Sequence, residues 1–195
     1  MAHLKFDPAK LEKLNDSGRL DTLRPDAMWE ALALDDPHEL VEIGAGTGMF
    51  AAEFARRAPQ ATVYAVDTVD EMIAWMQENR AEVATGRVVP LRSEESSVPV
   101  DAGVADGVYM INLHHELAEP EAIYAEAFRI LRPGGRVLVV DWAPVETPKG
   151  PPAAVRVSSS TLAEYLRCAG FSGVQTHEDL PWHSMVTAQR PEAAE

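Results

Sequence analysis

The pattern of apolar and polar positions changes character near Glu39. Upstream, the chain reads as helical but patchy. Pro8 suits the first turn of a helix behind Asp7 as N-cap, with Leu11 and Leu14 as a short apolar stripe. A second helix starts near Pro25, where Ala27, Met28, Ala31 and Leu32 recur at helical spacing, and Asp35-Asp36-Pro37 breaks the chain. From Glu39 onward short β-branched runs alternate with amphipathic stretches. Predicted strands are Leu40 to Ile43, Thr62 to Val66, Arg87 to Leu91, Val104 to Ile111, Arg136 to Val140, Gly173 to Thr176 and Met185 to Ala188. Pro90 lies inside the third, so its pairing is expected to end early. Predicted helices are Met49 to Ala58, Glu71 to Ala81 with Met72, Trp75 and Met76 on one side, Glu121 to Leu131, and Ser158 to Cys168, capped by a serine. Pro144 to Pro152 is a Pro-rich loop.

Strands alternating with helices imply βαβ units, hence a parallel sheet with helices on both faces. Runs such as Val137-Leu138-Val139-Val140 are apolar at every position, as a doubly covered sheet requires. Ligands of such sheets bind outside the carboxyl ends of the strands, at the switch point, so residues just after each strand are the ones to inspect.

Composition narrows the partner. The 195 residues fit one domain, and 31 Asp and Glu against 17 Lys and Arg leave a net charge of -14. That surface repels phosphate backbones and anionic lipid, so neither nucleic acid nor stable membrane association is expected. The densest basic grouping, Arg129, Arg132 and Arg136, is spread over a helix end and a turn. The lone Cys168, in a helical and apolar context, is expected to be a buried small hydrophobe, with a reactive thiol as the alternative. Met1 to Lys10 carries no signal-peptide stretch and no long uncharged apolar run follows, so the expected compartment is cytoplasmic.

Gly44, Gly46 and Gly48 sit directly after the first strand and open a helix. Glycine there permits positive φ and lets a ligand approach the backbone, while the amides of the next helical turn attract negative charge. A dinucleotide fingerprint wants its third glycine at the sixth position; Met49 stands there, which disfavours a pyrophosphate. Asp67 ends the second strand, 19 residues past Gly48. Its carboxylate suits the two hydroxyls of a ribose; a helix N-cap is the other reading, and both can hold.

Val41-Glu42-Ile43-Gly44-Ala45-Gly46-Thr47-Gly48, then Val66-Asp67, then Leu131-Arg132-Pro133-Gly134-Gly135-Arg136-Val137 resembles the class I S-adenosylmethionine-dependent methyltransferases, in that order and at the family's spacing. The likeness covers roughly residues 39 to 190. It implies an α/β, doubly wound, Rossmann-like seven-stranded sheet, mostly parallel with an antiparallel last strand, and S-adenosylmethionine as cofactor. By the same resemblance Gly44, Ala45, Gly46 and Gly48 line the methionine portion, and Glu42 orients that turn or the cofactor's ammonium. Asp67 holds the ribose, and Thr68 or Val69 flanks the adenine. Counting back from Val98-Pro99 puts Ser93 and Glu94 where relatives often carry Gly-Asp-Ala, a departure that assigns the adenine amino group to Glu94 or to backbone.

After the fourth strand comes Asn112-Leu113-His114-His115-Glu116, which in the family faces the transferred methyl. Asn112 joins the cofactor-binding set, but the prolines and aromatic typical of nucleic-acid and protein amino-methyltransferases are missing. His114 or His115 can serve as general base, His114 being nearer the strand; packing beneath the next helix is the other reading. No histidine follows at metalloprotease spacing, so no metal is expected. One cysteine argues against an arsenite acceptor, and quinone C-methyltransferases share the motifs but tend to be longer, with a membrane-facing surface. Phe6, Met28 and Trp29 are lid candidates or core, Trp142 lies on the ligand edge, and Trp182 and His183 stay ambiguous.

The expected organisation is a helical extension or lid over residues 1–38, the cofactor-binding domain over 39–190 and a flexible tail over 191–195. The expected function is in-line methyl transfer to a small-molecule acceptor, with a cofactor-binding regulatory module lacking turnover as the alternative. Oligomeric state is left open, a homodimer included.

Overall fold

The computed structural model describes residues 11–192. The expected Asp7–Pro8 helix start, Phe6 and residues 193–195 of the tail lie outside the described residues. Three short helices, α1 (Leu11–Leu14), α2 (Gly18–Leu23) and α3 (Pro25–Leu32), precede the alternating part. That part runs β1 (Glu39–Ile43), α4 (Met49–Arg57), β2 (Thr62–Asp67), α5 (Asp70–Asn79), α6 (Ala81–Ala84), β3 (Val88–Arg92) and β4 (Ala105–Ile111). It continues with α7 (Pro120–Ile130), β5 (Leu131–Trp142), α8 (Ser159–Cys168), β6 (Ser172–His177) and β7 (His183–Gln189).

The strands form one seven-stranded sheet in the order β3-β2-β1-β4-β5-β7-β6. β7 is antiparallel to both its neighbours and the other six strands are parallel. Within single strands, alternate apolar residues enter different cores. Leu40, Tyr109, Leu138 and Val140 join the cluster under α3, α4 and α5, while Val41, Val108, Val137 and Val139 join the one under α7 and α8. This is why the runs carry no polar alternation. Met28 is fully buried and Trp29 meets Phe54 edge-on at 5.5 Å, so both are core and neither is a lid.

Three sequence expectations need correction. Pro90 does not shorten β3, whose register with β2 runs through Ala65–Pro90 to Asp67–Arg92. β3 is an edge strand, so the missing N–H is tolerated on the side that pairs with no other strand. β5 begins at Leu131 and carries the Pro133-Gly134-Gly135 turn within it. Cys168 is exposed, because Leu162, Ala163 and Leu166 are the residues of α8 that face the sheet and Cys168 lies on the far side.

Candidate active site

A cavity of about 820 Å³ opens at the carboxyl ends of the parallel strands, where the order reverses between β1 and β4. Its first wall is the turn after β1. Gly44 has φ 77°, and a Cβ there would stand 2.6 Å from Leu113 Cδ1. Gly48 has φ 68°, caps α4, and would drive a Cβ to 2.7 Å from Met76 Sδ. Glycine is required at both, at Gly44 to keep the wall bare and at Gly48 to seat α5. Gly44, Ala45 and Gly46 face the cavity; Gly48 stands behind it.

Asp67 ties the first two turns together. Oδ2 accepts the Gly46 N–H at 2.7 Å and Oδ1 accepts the Val69 N–H at 2.9 Å. Burial raises its pKa, opposed by the amides of Gly46, Val69 and Thr68. Each oxygen keeps acceptor capacity, and Asp67 lines the cavity together with Thr68 and Val69. α5 has Val69 as N-cap with no side-chain cap, so Asp67 holds the turn before the helix. Ser93, whose N–H donates to the Asp67 carbonyl at 3.0 Å, and the exposed Glu94 form the next wall.

Glu42 enters from β1 and is 1% exposed, with Oε2 lacking any hydrogen-bond partner. Burial pushes its pKa well above the carboxylate range, only partly offset by Arg19 and the Ala51 backbone N–H. Asn112 follows β4 with φ 57°, and its buried Oδ1 also lacks a partner. Both face the cavity. An orphaned carboxylate and an orphaned amide oxygen around a bare turn are what a cationic, donor-rich ligand would satisfy.

The two histidines form a 3₁₀ turn, His114–Glu116, and diverge. His114 turns from the cavity: Nδ1 lies 3.1 Å from Tyr124 Oη, the ring packs on Tyr165, and burial lowers its pKa. His115 lines the cavity and donates from Nδ1 to Asp141 Oδ1 at 2.8 Å. Burial alone would lower its pKa, but the Asp141 hydrogen bond and charge, with Glu116, raise it above the usual histidine value. Asp141 is fully buried and accepts the Trp142 N–H at 2.7 Å as well. The sequence reading passed over Asp141, although it is the last residue but one of β5, on the ligand edge.

Trp142 borders the cavity, with Lys149, Gly150 and Pro151 folded beside it. Behind it His183 lies with its ring tilted by 40° and centred 4.3 Å away, buried, with both ring nitrogens unpartnered. Leu14 and Arg19 from the N-terminal helices complete the lining, and nothing in the sequence pattern had marked Arg19. Among the described residues no group of three His, Cys, Asp or Glu is arranged to hold a metal ion. Also among them, no helix is long and apolar enough to cross a membrane.

The residues fit S-adenosylmethionine: a bare glycine turn, an acceptor carboxylate one strand away and buried acceptors for a cationic tail. Comparison with known proteins agrees. Residues 41–139 match the methyltransferase domain family. The chain is 34% identical over 145 residues to a ubiquinone/menaquinone biosynthesis C-methyltransferase of Dinoroseobacter shibae, covering 72% of this chain and 57% of that protein. It is 30% identical over 137 residues to a demethylmenaquinone methyltransferase of Thermus thermophilus, covering 68% and 61%. The chain thus spans little more than half the length of these curated relatives. A solved SAM dependent methyltransferase from Aquifex aeolicus superposes with a TM-score of 0.88 at 28% identity, over 95% of this chain and 99% of that one. With the matched domain covering half of its residues, the chain belongs to the methyltransferase domain family, in its class I S-adenosylmethionine-dependent form.

Proposed function

We propose that the protein transfers the methyl group of S-adenosylmethionine to a small-molecule acceptor by in-line displacement. One observation carries the reading: Asp67, held by the Gly46 and Val69 amides, faces the same cavity as His115. When bound, the cofactor supplies an electrophilic sulfonium methyl. The chain's own part is to position and to move a proton. Asp67, Thr68 and Val69 hold the adenosine, with Ser93 and Glu94 at the adenine, and Glu42, Gly44, Ala45 and Gly46 take the tail; Gly48 supports them from behind. Asn112 presents its free Oδ1 beside the reacting centre.

His115, and not His114, is the proposed base. Its Nδ1–H is committed to Asp141, which leaves Nε2 as the acceptor for a proton from the substrate. Asp141 fixes the tautomer and stabilises the imidazolium that results. An acceptor that must lose a proton, such as a phenol or an enolisable ring carbon, suits this arrangement. Such an acceptor is also consistent with relatives whose names place them in quinone biosynthesis. Leu14 and the strap at Lys149–Pro151 exclude water from the reacting atoms, positioning that in-line transfer depends on. Of the helical extension before residue 39, α1 and α2 border the cavity and act as the lid over a domain of residues 39–190, in the cytoplasm, acting on small molecules and not on nucleic acid. A homodimer is compatible with this reading. The alternative of a regulatory module gains no support from the comparisons.

Calorimetry with S-adenosylhomocysteine tests the reading, together with transfer of labelled methyl to a panel of phenols and quinols. Saturable binding is expected, and Asp67→Ala should weaken it by about tenfold or more while the fold survives. No binding by the wild-type chain would sink the assignment.

A further inference from the structure

The chain leaves the sheet at Trp142, the end of β5, and returns at Val157, whose N–H donates to the Trp142 carbonyl at 3.0 Å. Residues 143–156 are thus a loop closed at its neck, and Pro144, Pro148, Pro151 and Pro152 restrict its backbone. Two contacts hold the body of the loop down. Arg156 braces it from inside, Nε donating to the Pro151 carbonyl at 3.0 Å and Nη1 to the Val145 carbonyl at 2.5 Å. Its guanidinium also stands 5.6 Å from the centroid of the Trp142 ring. Gly150 lies against the same indole: its φ is 118°, and a Cβ there would stand 2.9 Å from Trp142 Cε3. The indole in turn rests on the buried His183.

The loop stands beside the proposed base. Trp142 donates its N–H to Asp141 Oδ1, the same oxygen that accepts from His115 Nδ1, and Lys149, Gly150 and Pro151 line the cavity there. Asp67 ends β2, three strands away in the sheet order, about 14 Å at the usual strand spacing. A wall next to the base and remote from the adenosine end meets the acceptor, not the cofactor. We propose that Gly150 and Arg156 determine acceptor specificity by holding this loop against Trp142. Gly150 lets the loop close on the indole, and Arg156 is the positioning residue that keeps it closed. Together they fix the width of the acceptor subsite. Adding a side chain at position 150, or cutting the brace, moves the wall outward and favours bulkier acceptors over compact ones.

The inference rests on the methyl-transfer reading, so its test keeps the two apart. Methyl transfer by the full chain is measured on matched one-ring and two-ring acceptors, phenol against naphthol and benzoquinol against naphthoquinol. Gly150→Ala and Arg156→Met should each raise the two-ring to one-ring ratio of kcat/KM by about fivefold or more, chiefly through KM. Calorimetry should keep S-adenosylhomocysteine affinity within about twofold of wild type in both. Arg156→Lys, which retains a donor for one carbonyl, should shift the ratio less than Arg156→Met. Trypsin reads the loop directly, and cleavage after Lys149 should quicken by about tenfold or more in both variants. An unchanged acceptor ratio would overturn the inference even where trypsin cuts faster, and so would parallel losses of cofactor and acceptor binding. Should one variant not fold, the other carries the same comparison with Arg156→Lys. A wild type that binds S-adenosylhomocysteine but methylates none of the four acceptors ends this inference and leaves the cofactor assignment standing; one that binds no cofactor ends both.

Discussion

His114 and His115 are adjacent in the chain yet sit in opposite electrostatic settings. Burial against Tyr124 and Tyr165 lowers the first, while the buried Asp141 raises the second. A base must be unprotonated to act, so turnover should climb as pH rises through a His115 pKa lying above the usual histidine range. Asp141→Asn removes the charge that raises it, and the acid limb of the rate profile should then move to lower pH as kcat falls. His115→Ala should cost about 100-fold in kcat, and His114→Phe far less. An unchanged pH profile in Asp141→Asn would refute the pairing. The sequence put His114 slightly ahead as the residue nearer the strand, whereas His115 is the one that lines the cavity: successive residues of a 3₁₀ turn point in different directions, and only the backbone decides which meets it. Asp141 was hidden for another reason: it ends a run apolar on both faces, where no alternation signals direction.

At the scale of elements, punctuation and periodicity located strands and helices well, and the misreadings have local causes. Pro90 reads as an interruption only if the strand is assumed to be flanked on both sides; edge position is a property of the sheet, not of five residues. Pro25 announces the start of α3, but the left-handed φ of 45° at Arg24, which closes α2, falls on a residue with no preference for it and has no signal in the chain. The cap of α8 was legible, since serine is a common N-cap, and Ser158 Oγ accepts the Thr161 N–H at 3.2 Å. Ser158→Ala should therefore lower unfolding free energy by about 1 kcal/mol. Because α8 packs under β6 and β7, away from the glycine turn, cofactor affinity should hold. Chemical denaturation and calorimetry on one preparation separate the two quantities, and a parallel loss of affinity would contradict this division.

Across the whole molecule, the sheet order and the cavity's place follow from βαβ alternation and the switch-point rule, whereas contacts between distant segments do not. Arg19 and His183 are the clearest cases: over 160 positions apart, the charge of the first acts on the second because β7 returns antiparallel beside β5. His183 is 4% exposed, tilted against Trp142, and feels the charges of Arg19, His115 and Arg156, with Asp141 as the opposing charge. Burial foremost, then those cations, depresses its pKa to about 4. In the unfolded chain it titrates near about 6.5, so as pH falls the unfolded state takes up its proton first. The stability owed to a neutral His183 is thus complete above about pH 6.5 and drains away toward pH 4, by at most about 3 kcal/mol. His115, with its raised pKa, works in the other direction: its share is present in acid and is lost as pH rises through the folded value. The difference between wild type and His183→Phe isolates the first effect. Urea unfolding at pH 7.5 and pH 4.5 should show the variant losing less stability on acidification than the wild type. Parallel losses in the two proteins would mean that His183 is already protonated in the native state, and its unpartnered nitrogens would then need another explanation.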